Sequence, residues 1–372
     1  FVKQAILDLR RSFTPDGAKG RATLLQQAID RSPNLRELAR RPLLLTLMAS
    51  LHAWRGGTLP DQREELYEES VNLLLDFWQR PKIVLGPDGQ PVLQTESAAE
   101  WLKVPHERVR ETLEALAFKI HQEQPEGKGE ADIRECDLVD ALLRVTGADT
   151  RHARVVEYIR DRAGLLINRA EGVYSFPHRT FQEYLAARHL TMAGFPDKLL
   201  ELATHDVERW REVVLLAGAK AARGTHHSAW SLVAALRPDP SDLRLIAPPT
   251  DRDWSLAMLA GQVLIETGIY RAAELTKANQ NTVAHVCDWL AELVSGGHLP
   301  AVDRAAAGAT LGRICDPRKG VGVGSDRLPE IGWIPIPAGA FIMGDKPDWC
   351  GGKRFNCQLI KEPFRVSRYP IT

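Results

Sequence analysis

The chain has 372 residues, 48 of them Lys or Arg and 48 Asp or Glu, so its formal charge is zero. That length predicts two or three domains and excludes a single small module, while the neutral balance excludes a polycation built to coat nucleic acid or anionic lipid. With 44% hydrophobic and 26% charged residues, the composition is that of a folded globular protein. The longest charge-free runs, Pro42 to Trp54 and Ile331 to Gly344, fall short of the roughly 18 residues a membrane helix needs, so no span is expected. Five scattered cysteines (136, 287, 315, 350, 357) fit a reducing compartment, and the expected location is cytoplasmic. The start at Phe1 without Met and the stop at Thr372 inside an apolar pattern read as cut ends.

In chain order, Asn34 is expected to cap a short helix through Arg40, and Pro42 to sit in the first turn of a largely buried helix carrying Leu43, Leu44, Leu47, Met48 and Leu51. Asp61 with Glu64 three residues on predicts a capped helix whose Tyr67, Val71, Leu74 and Trp78 face a core. Lys82 to Glu96, with Gly-Pro-Asp-Gly inside it, reads as a surface hairpin or loop. Helical patterns follow at Pro105 to Gln122, Ile133 to Thr146 and Arg151 to Ala163, then two short strands around Ala-Glu-Gly, from Leu165 and from Val173. Three helices and a hairpin make a winged-helix order. His178 opens another helix with Phe181, Tyr184 and Leu185 on its apolar side, Gln182 and Glu183 being read as surface or interdomain contacts.

From Asp197 to Asp316, helical segments are separated by Gly or Pro breaks at Gly224, Pro238 to Pro240, Pro248-Pro249, Gly268 and Gly296-Gly297. Such helices must stack to bury their faces, as in an α-solenoid. From Pro329 to Thr372, 11 of 44 residues are Pro or Gly, against 51 of 372 in the whole chain, which marks the opening of a β-rich region after a linker at Arg318 to Ser325. The expected fold class is mainly α: helices, a winged helix, solenoid-like helical repeats, then the start of a β-rich domain. G-x-x-x-x-G-K-[ST], H-E-x-x-H, C-x-x-C and G-x-S-x-G are all absent, so no catalytic residue and no metal site is assigned.

The segment "LRELARRPLLLTLMASLHAWRGGTLPDQREELYEESVNLLLDFW", Leu35 to Trp78, resembles the helical part of a NACHT-type STAND NTPase, and "YSFPHRTFQEYLAARHL", Tyr174 to Leu190, resembles the end of that family's winged-helix domain. The resemblance implies that Pro42 packs against the adenine of bound ADP and that His178 reaches its β-phosphate in a closed state. Taken without the family, Pro42 suits a helix start in its own right and His178 is a capping or core histidine. An imidazole at a helix start does suit an anion, because the first-turn amides and the helix dipole point the same way.

At the other end, "GWIPIPAGAFIMGDKPDWCGGKRFNCQLIKEPFRVSRYPIT", Gly332 to Thr372, resembles the first strands of a formylglycine-generating-enzyme (FGE-sulfatase) domain with a C-type-lectin-like fold. Cys350 and Cys357 are not the late cysteine pair that carries copper in true enzymes of that family. Many domains of this fold bind ligands instead, including hypervariable ones made by diversity-generating retroelements. The expected layout is a NACHT helical domain at 1–80, the winged helix at 81–195, a HEAT-like helical connector at 196–317, a linker at 318–328 and a truncated FGE-sulfatase-like domain at 329–372.

Together these resemblances imply the regulatory part of a nucleotide-switched signalling or defence ATPase of bacterial type. Its cofactor would be ADP or ATP with Mg, held mainly by an upstream nucleotide-binding core. Its partners would be that core, an unknown ligand of the C-terminal domain and further copies of itself on activation. Two other readings stand beside it. One is a metal-dependent oxidase of the formylglycine-generating type with a regulatory helical region. The other is a winged-helix DNA-binding regulator, for which Asp149 to Arg188 carries seven Arg against five acidic residues, thin for a surface that tracks phosphates. Neither nucleic acid nor membrane is the expected partner.

Overall fold

The computed structural model describes residues 15–55, 57–79, 82–85, 91–95, 105–124, 131–145, 165–237, 248–272, 275–324, 326–343 and 355–369. The expected helix from Arg151 to Ala163, the Gly-Pro-Asp-Gly turn and Cys350 lie outside these residues. The chain divides into two compact units, Phe1–Ala229 and Trp230–Thr372. The architecture is mainly α, with thirteen α-helices and nine short strands among the described residues.

The first unit opens with α1 (Pro15–Arg31), α2 (Pro33–Ala39) and α3 (Pro42–Trp54). Two glycines in its first turns hide α1 from a periodicity reading. Ser32, not Asn34, caps α2: its hydroxyl accepts from the Leu35 amide at 3.4 Å, and Pro33 occupies the first turn with its φ already helical. α3 starts at Pro42 behind an extended Arg41. It buries one stripe, Leu44, Met48, Leu51 and His52, whereas Leu43 and Leu47 are half-buried and Leu45 is exposed, so the helix is amphipathic rather than largely buried.

α4 (Arg63–Gln79) has two working faces. Leu66 and Leu73 join Leu35, Met48 and Leu51 in one apolar cluster, while Tyr67 packs on Phe181 and Tyr184, with ring centroids 5.9 and 6.0 Å away. Such aromatic pairs add about 0.5–1.5 kcal/mol each beyond the area they bury. Of the four expected core residues of α4, Tyr67 and Val71 are buried and Leu74 is half-buried; the Trp78 side chain lies outside the described set. Glu64 does not close a capping box, because it is fully buried and accepts from Arg223.

The expected hairpin forms from β1 (Lys82–Leu85) and β2 (Pro91–Thr95), paired antiparallel. After it come α5 (His106–Glu123), β3 (Ile133–Arg134), α6 (Glu135–Leu143), β4 (Ile167–Ala170) and β5 (Val173–Ser175). The strand order is β3-β5-β4, with Ile133 opposite Tyr174. Ile133 and Arg134, expected to begin a helix, are therefore the third strand beside the wing hairpin. The unit ends with α7 (Arg179–Met192), α8 (Asp197–His205) and α9 (Val207–Gly224). α7 lies at the centre, against α4, α5 and α9, and buries Phe181, Tyr184, Leu185 and Leu190 as the apolar spacing predicts.

α10 (His226–Leu236) straddles the division between the units. In the second unit, α11 (Asp251–Thr267), α12 (Lys277–Gly296) and α13 (Ala301–Ile314) each touch the other two. Thr250 and Asp253 close a capping box on α11, and the expected breaks at Gly268 and Gly297 are left-handed C-caps with φ of 67° and 74°. Gly261 lets the three helices approach: a Cβ there would stand 2.9 Å from both Leu290 Cδ1 and Thr310 Cγ2.

Toward the C-terminus, β6 (Trp333–Ile336) pairs with β9 (Phe364–Ser367) and β7 (Gly339–Met343) with β8 (Phe355–Ile360), all antiparallel. The stretch read as a linker is fastened to these strands. Arg318 ion-pairs with Asp316 at 2.6 Å and lies over the Tyr369 ring, and Gly320 packs so close to Gly332 that a Cβ would meet its amide nitrogen. No helix among the described residues is long and apolar enough to cross a membrane.

Candidate functional site

The two residues that the resemblance singles out both stand at exposed helix starts in the first unit. Pro42 is exposed in the first turn of α3, free to offer its ring as a flat apolar surface. His178 is the extended N-cap of α7, also exposed. Its Nδ1 accepts from the Thr180 amide at 3.2 Å and lies 3.0 Å from Thr180 Oγ1. An amide N–H can only donate, so Nδ1 is the unprotonated nitrogen and the ring proton sits on Nε2, which has no partner among the described residues.

Tyr67 stands behind this cap. Burial pushes the Tyr67 phenol above its usual range, against the pull of Thr180 and of the nearby Arg63 and Arg41 charges. Arg41 immediately precedes Pro42, so the field at Tyr67 is shaped by the starts of both α3 and α7. Arg63 is buried and ion-pairs with Glu212 of α9 at 2.7 Å. On α7, Arg179 donates to Glu183 at 2.8 Å. Even so, burial, aided by the Glu212 charge, raises the Glu183 carboxyl to about 7. At His178 a ring N–H thus stands at the open first turn of a helix, and the arginine next to it, Arg179, is engaged by Glu183.

Gln182 and Glu183 are not surface contacts: they are 1% and 4% exposed. Gln182 Nε2 donates toward His121 Nδ1 at 3.3 Å and Gln124 Oε1 at 3.4 Å, and His121 Nε2 in turn bonds the Arg209 carbonyl at 3.1 Å. α7 turns this side toward α5 and α9, so even its polar residues are enclosed. Burial drives the His121 imidazole down to about 4, so it is neutral near pH 7.

A second cluster, unassigned from sequence, joins α4, α5, α7 and α9. Glu68 Oε1 accepts from Arg188 at 2.6 Å and Lys220 at 2.7 Å, with Arg223 on its other oxygen. Glu114 ion-pairs with Arg110 at 3.0 Å and Arg188 at 2.8 Å. Glu64, at 0% exposure, accepts from Arg223 at 2.8 Å, while its Oε1 finds only Lys220 at 3.8 Å. Burial tends to raise both α4 carboxyls. It prevails at Glu64, whereas Lys220, Arg223 and Arg188 together hold Glu68 at about 2. The sequence does carry a signal for this cluster: Glu64 and Glu68 share the i, i+4, i+7 stripe with Val71, which places charges on a core-facing line. Among the described residues, no group of three His, Cys, Asp or Glu side chains is placed to hold a metal ion.

Residues 63–190 match the family described as the winged helix-turn-helix domain C-terminal to NACHT. That match, over about a third of the chain, supports a NACHT-associated protein. The match runs from the first residue of α4 to Leu190 in α7 and takes in Tyr67, the wing and His178, with Pro42 ahead of it. No curated protein matches the chain.

Proposed function

We propose that this chain is the regulatory part of a NACHT NTPase, with the start of α7 serving as a lid on a nucleotide held by a separate nucleotide-binding core. The observation that supports it most is His178. Within a NACHT-associated winged helix it stands exposed at a helix N-terminus, with Nδ1 occupied and the Nε2 proton facing outward. Bound ADP supplies a diphosphate anion and an aromatic base. His178 would donate from Nε2 to a β-phosphate oxygen, helped by the α7 dipole, and Pro42 would pack on the adenine. Mg would be held by the core and the nucleotide. In the open state these contacts would be lost, and copies of the protein would associate.

On this reading the C-terminal end, whose sequence resembles an FGE-type domain, senses a ligand in the cytoplasm. Whatever binds there would favour the open state only through a difference in affinity between the two states. In the protein joined to its nucleotide-binding core, His178→Ala should speed ADP release about tenfold or more, the worth of one hydrogen bond to a charged group, and should raise the assembled fraction. Unchanged release together with unchanged oligomer size would refute the lid role.

A further inference from the structure

We propose that Cys287 on α12 and Cys315, just past the end of α13, are a redox pair that closes to a disulfide when a small disulfide such as oxidised glutathione supplies the oxidising power. The proposal is independent of the lid reading and lies wholly within the second unit. Its basis is the register of two antiparallel helices. Leu290 of α12 and Thr310 of α13 meet over Gly261, each 2.9 Å from where a Cβ there would stand. Further along, a Cβ on Gly308 would meet Val294 Cγ2 at 3.8 Å. Residue numbers therefore rise on one helix as they fall on the other. Cys287 lies seven residues before Val294, and Cys315 seven residues after Gly308. Seven residues make two turns, about 10 Å along the axis, and return to nearly the same helix face. The cysteines thus stand opposite each other, at the ends of the stripes Cys287, Leu290, Val294 and Gly308, Leu311, Cys315.

The local structure suits exchange. Cys315 donates its amide to the Leu311 carbonyl at 3.0 Å, so it still follows the helical path. Ala307 and Gly308 are small, which lets the two axes approach. Both cysteines are free thiols, Cys315 exposed and Cys287 buried. Burial, with the Cys315, Asp288 and Asp316 charges nearby, pushes the Cys287 thiol up to about 12, so it keeps its proton at neutral pH. Cys315 therefore meets the oxidant first. Its thiolate attacks one glutathione sulfur, the glutathione S–S bond breaks, and one glutathione thiolate leaves and regains from solvent the proton Cys315 gave up. The Cys287 sulfur then attacks Cys315 Sγ in the mixed disulfide, and the second glutathione leaves with the Cys287 proton. Two protein thiols are oxidised, and one glutathione disulfide is reduced to two thiols. The bond would tie the end of α13 to α12. Arg318, paired with Asp316 and lying over the Tyr369 ring, extends that tie to the end of β9.

The test incubates the folded 372-residue chain with oxidised glutathione until the products stop changing, then maps its tryptic peptides without reduction. Cleavage after Arg304 and Arg313 puts the two cysteines on separate peptides. In the wild type these should appear joined, lighter than their sum by two hydrogen atoms. The joined chain should melt above the reduced one, because the bond constrains the unfolded state. Cys287→Ser should stop at a glutathione adduct on Cys315. A wild type that also stops there, or does not react, overturns the proposal. So does either cysteine joined to a different one, or a joined chain that melts below the reduced chain. Should Cys287→Ser fail to fold, the wild-type map decides alone.

Discussion

Two buried side chains, His121 and Glu183, set opposite pH limits on the first unit. His121 drops from an ordinary value of 6.5 to about 4 because charging it would strand an imidazolium among Trp210, Gln182 and the Arg209 carbonyl. Its folded value lies below its unfolded one, so the stability it contributes is complete above pH 6.5 and is lost as pH falls through about 4. Glu183 rises from 4.5 to about 7, so its contribution is complete below pH 4.5 and is lost as pH rises through about 7. Each is worth roughly 3 kcal/mol at its limit. Between pH 4.5 and 6.5 the two slopes oppose each other, and the wild type should look flat. Glu183→Gln should unmask the His121 limb: urea unfolding should show stability climbing from pH 4.5 to 6.5, with a gain over wild type at pH 8 and none at pH 4.5. His121→Gln should do the converse and remove the acid loss. A Glu183→Gln profile parallel to wild type at every pH would show that the buried carboxyl titrates at its ordinary value.

Between elements, ion pairs couple α9 to α4. Among the described residues, both cations that reach Glu64, Lys220 and Arg223, lie on α9, so moving α9 would leave a buried carboxylate uncompensated. Arg223→Met should cost about 3 kcal/mol, because half of a buried pair is worse than none. Adding Glu64→Gln should recover more than half of that, a coupling read from the double-mutant cycle. A loss under about 1 kcal/mol would show that water or Lys220 satisfies Glu64 unaided. This clamp also marks how far the elements are legible in sequence. Helix starts at Pro42 and His178, the wing hairpin, and the glycine breaks at Gly268 and Gly297 follow from local rules, and they stand where those rules place them. Three features do not follow. Ile133-Arg134 became a strand because Tyr174 and Val173 pair with it across a long separation, Gln182 was enclosed because α5 and α9 close over α7, and Glu64 left its cap for an arginine 159 residues away. Of the candidate site, the exposed His178 was visible in its motif. Tyr67 behind it reads as core, and it packs there on Phe181 and Tyr184.

On the scale of the whole molecule, electrostatics separates a nucleotide lid from a DNA-binding winged helix. The net charge is zero, and three arginines of the wing and of α7 already have partners. Arg169 donates to Ser175 at 2.8 Å, Arg179 to Glu183 at 2.8 Å, and Arg188 to Glu68 at 2.6 Å. A guanidinium already held by a carboxylate releases few counterions from DNA unless the pair first breaks, and that loss offsets the gain. A phosphate-tracking domain with six or more free cations would bind any duplex at low salt, with affinity falling as roughly the sixth power of salt concentration. For this chain, a fluorescence-anisotropy titration of a random 20-base-pair duplex at about 50 mM salt should stay flat to about 10 µM protein, where non-specific DNA binders are already well occupied. Residues 151–162 hold four further arginines outside the described set, so the titration also reads their contribution. Binding in the micromolar range with a steep salt slope would mean that enough cations of this chain are free to contact phosphates, and would move the winged helix from a lid toward a DNA reader.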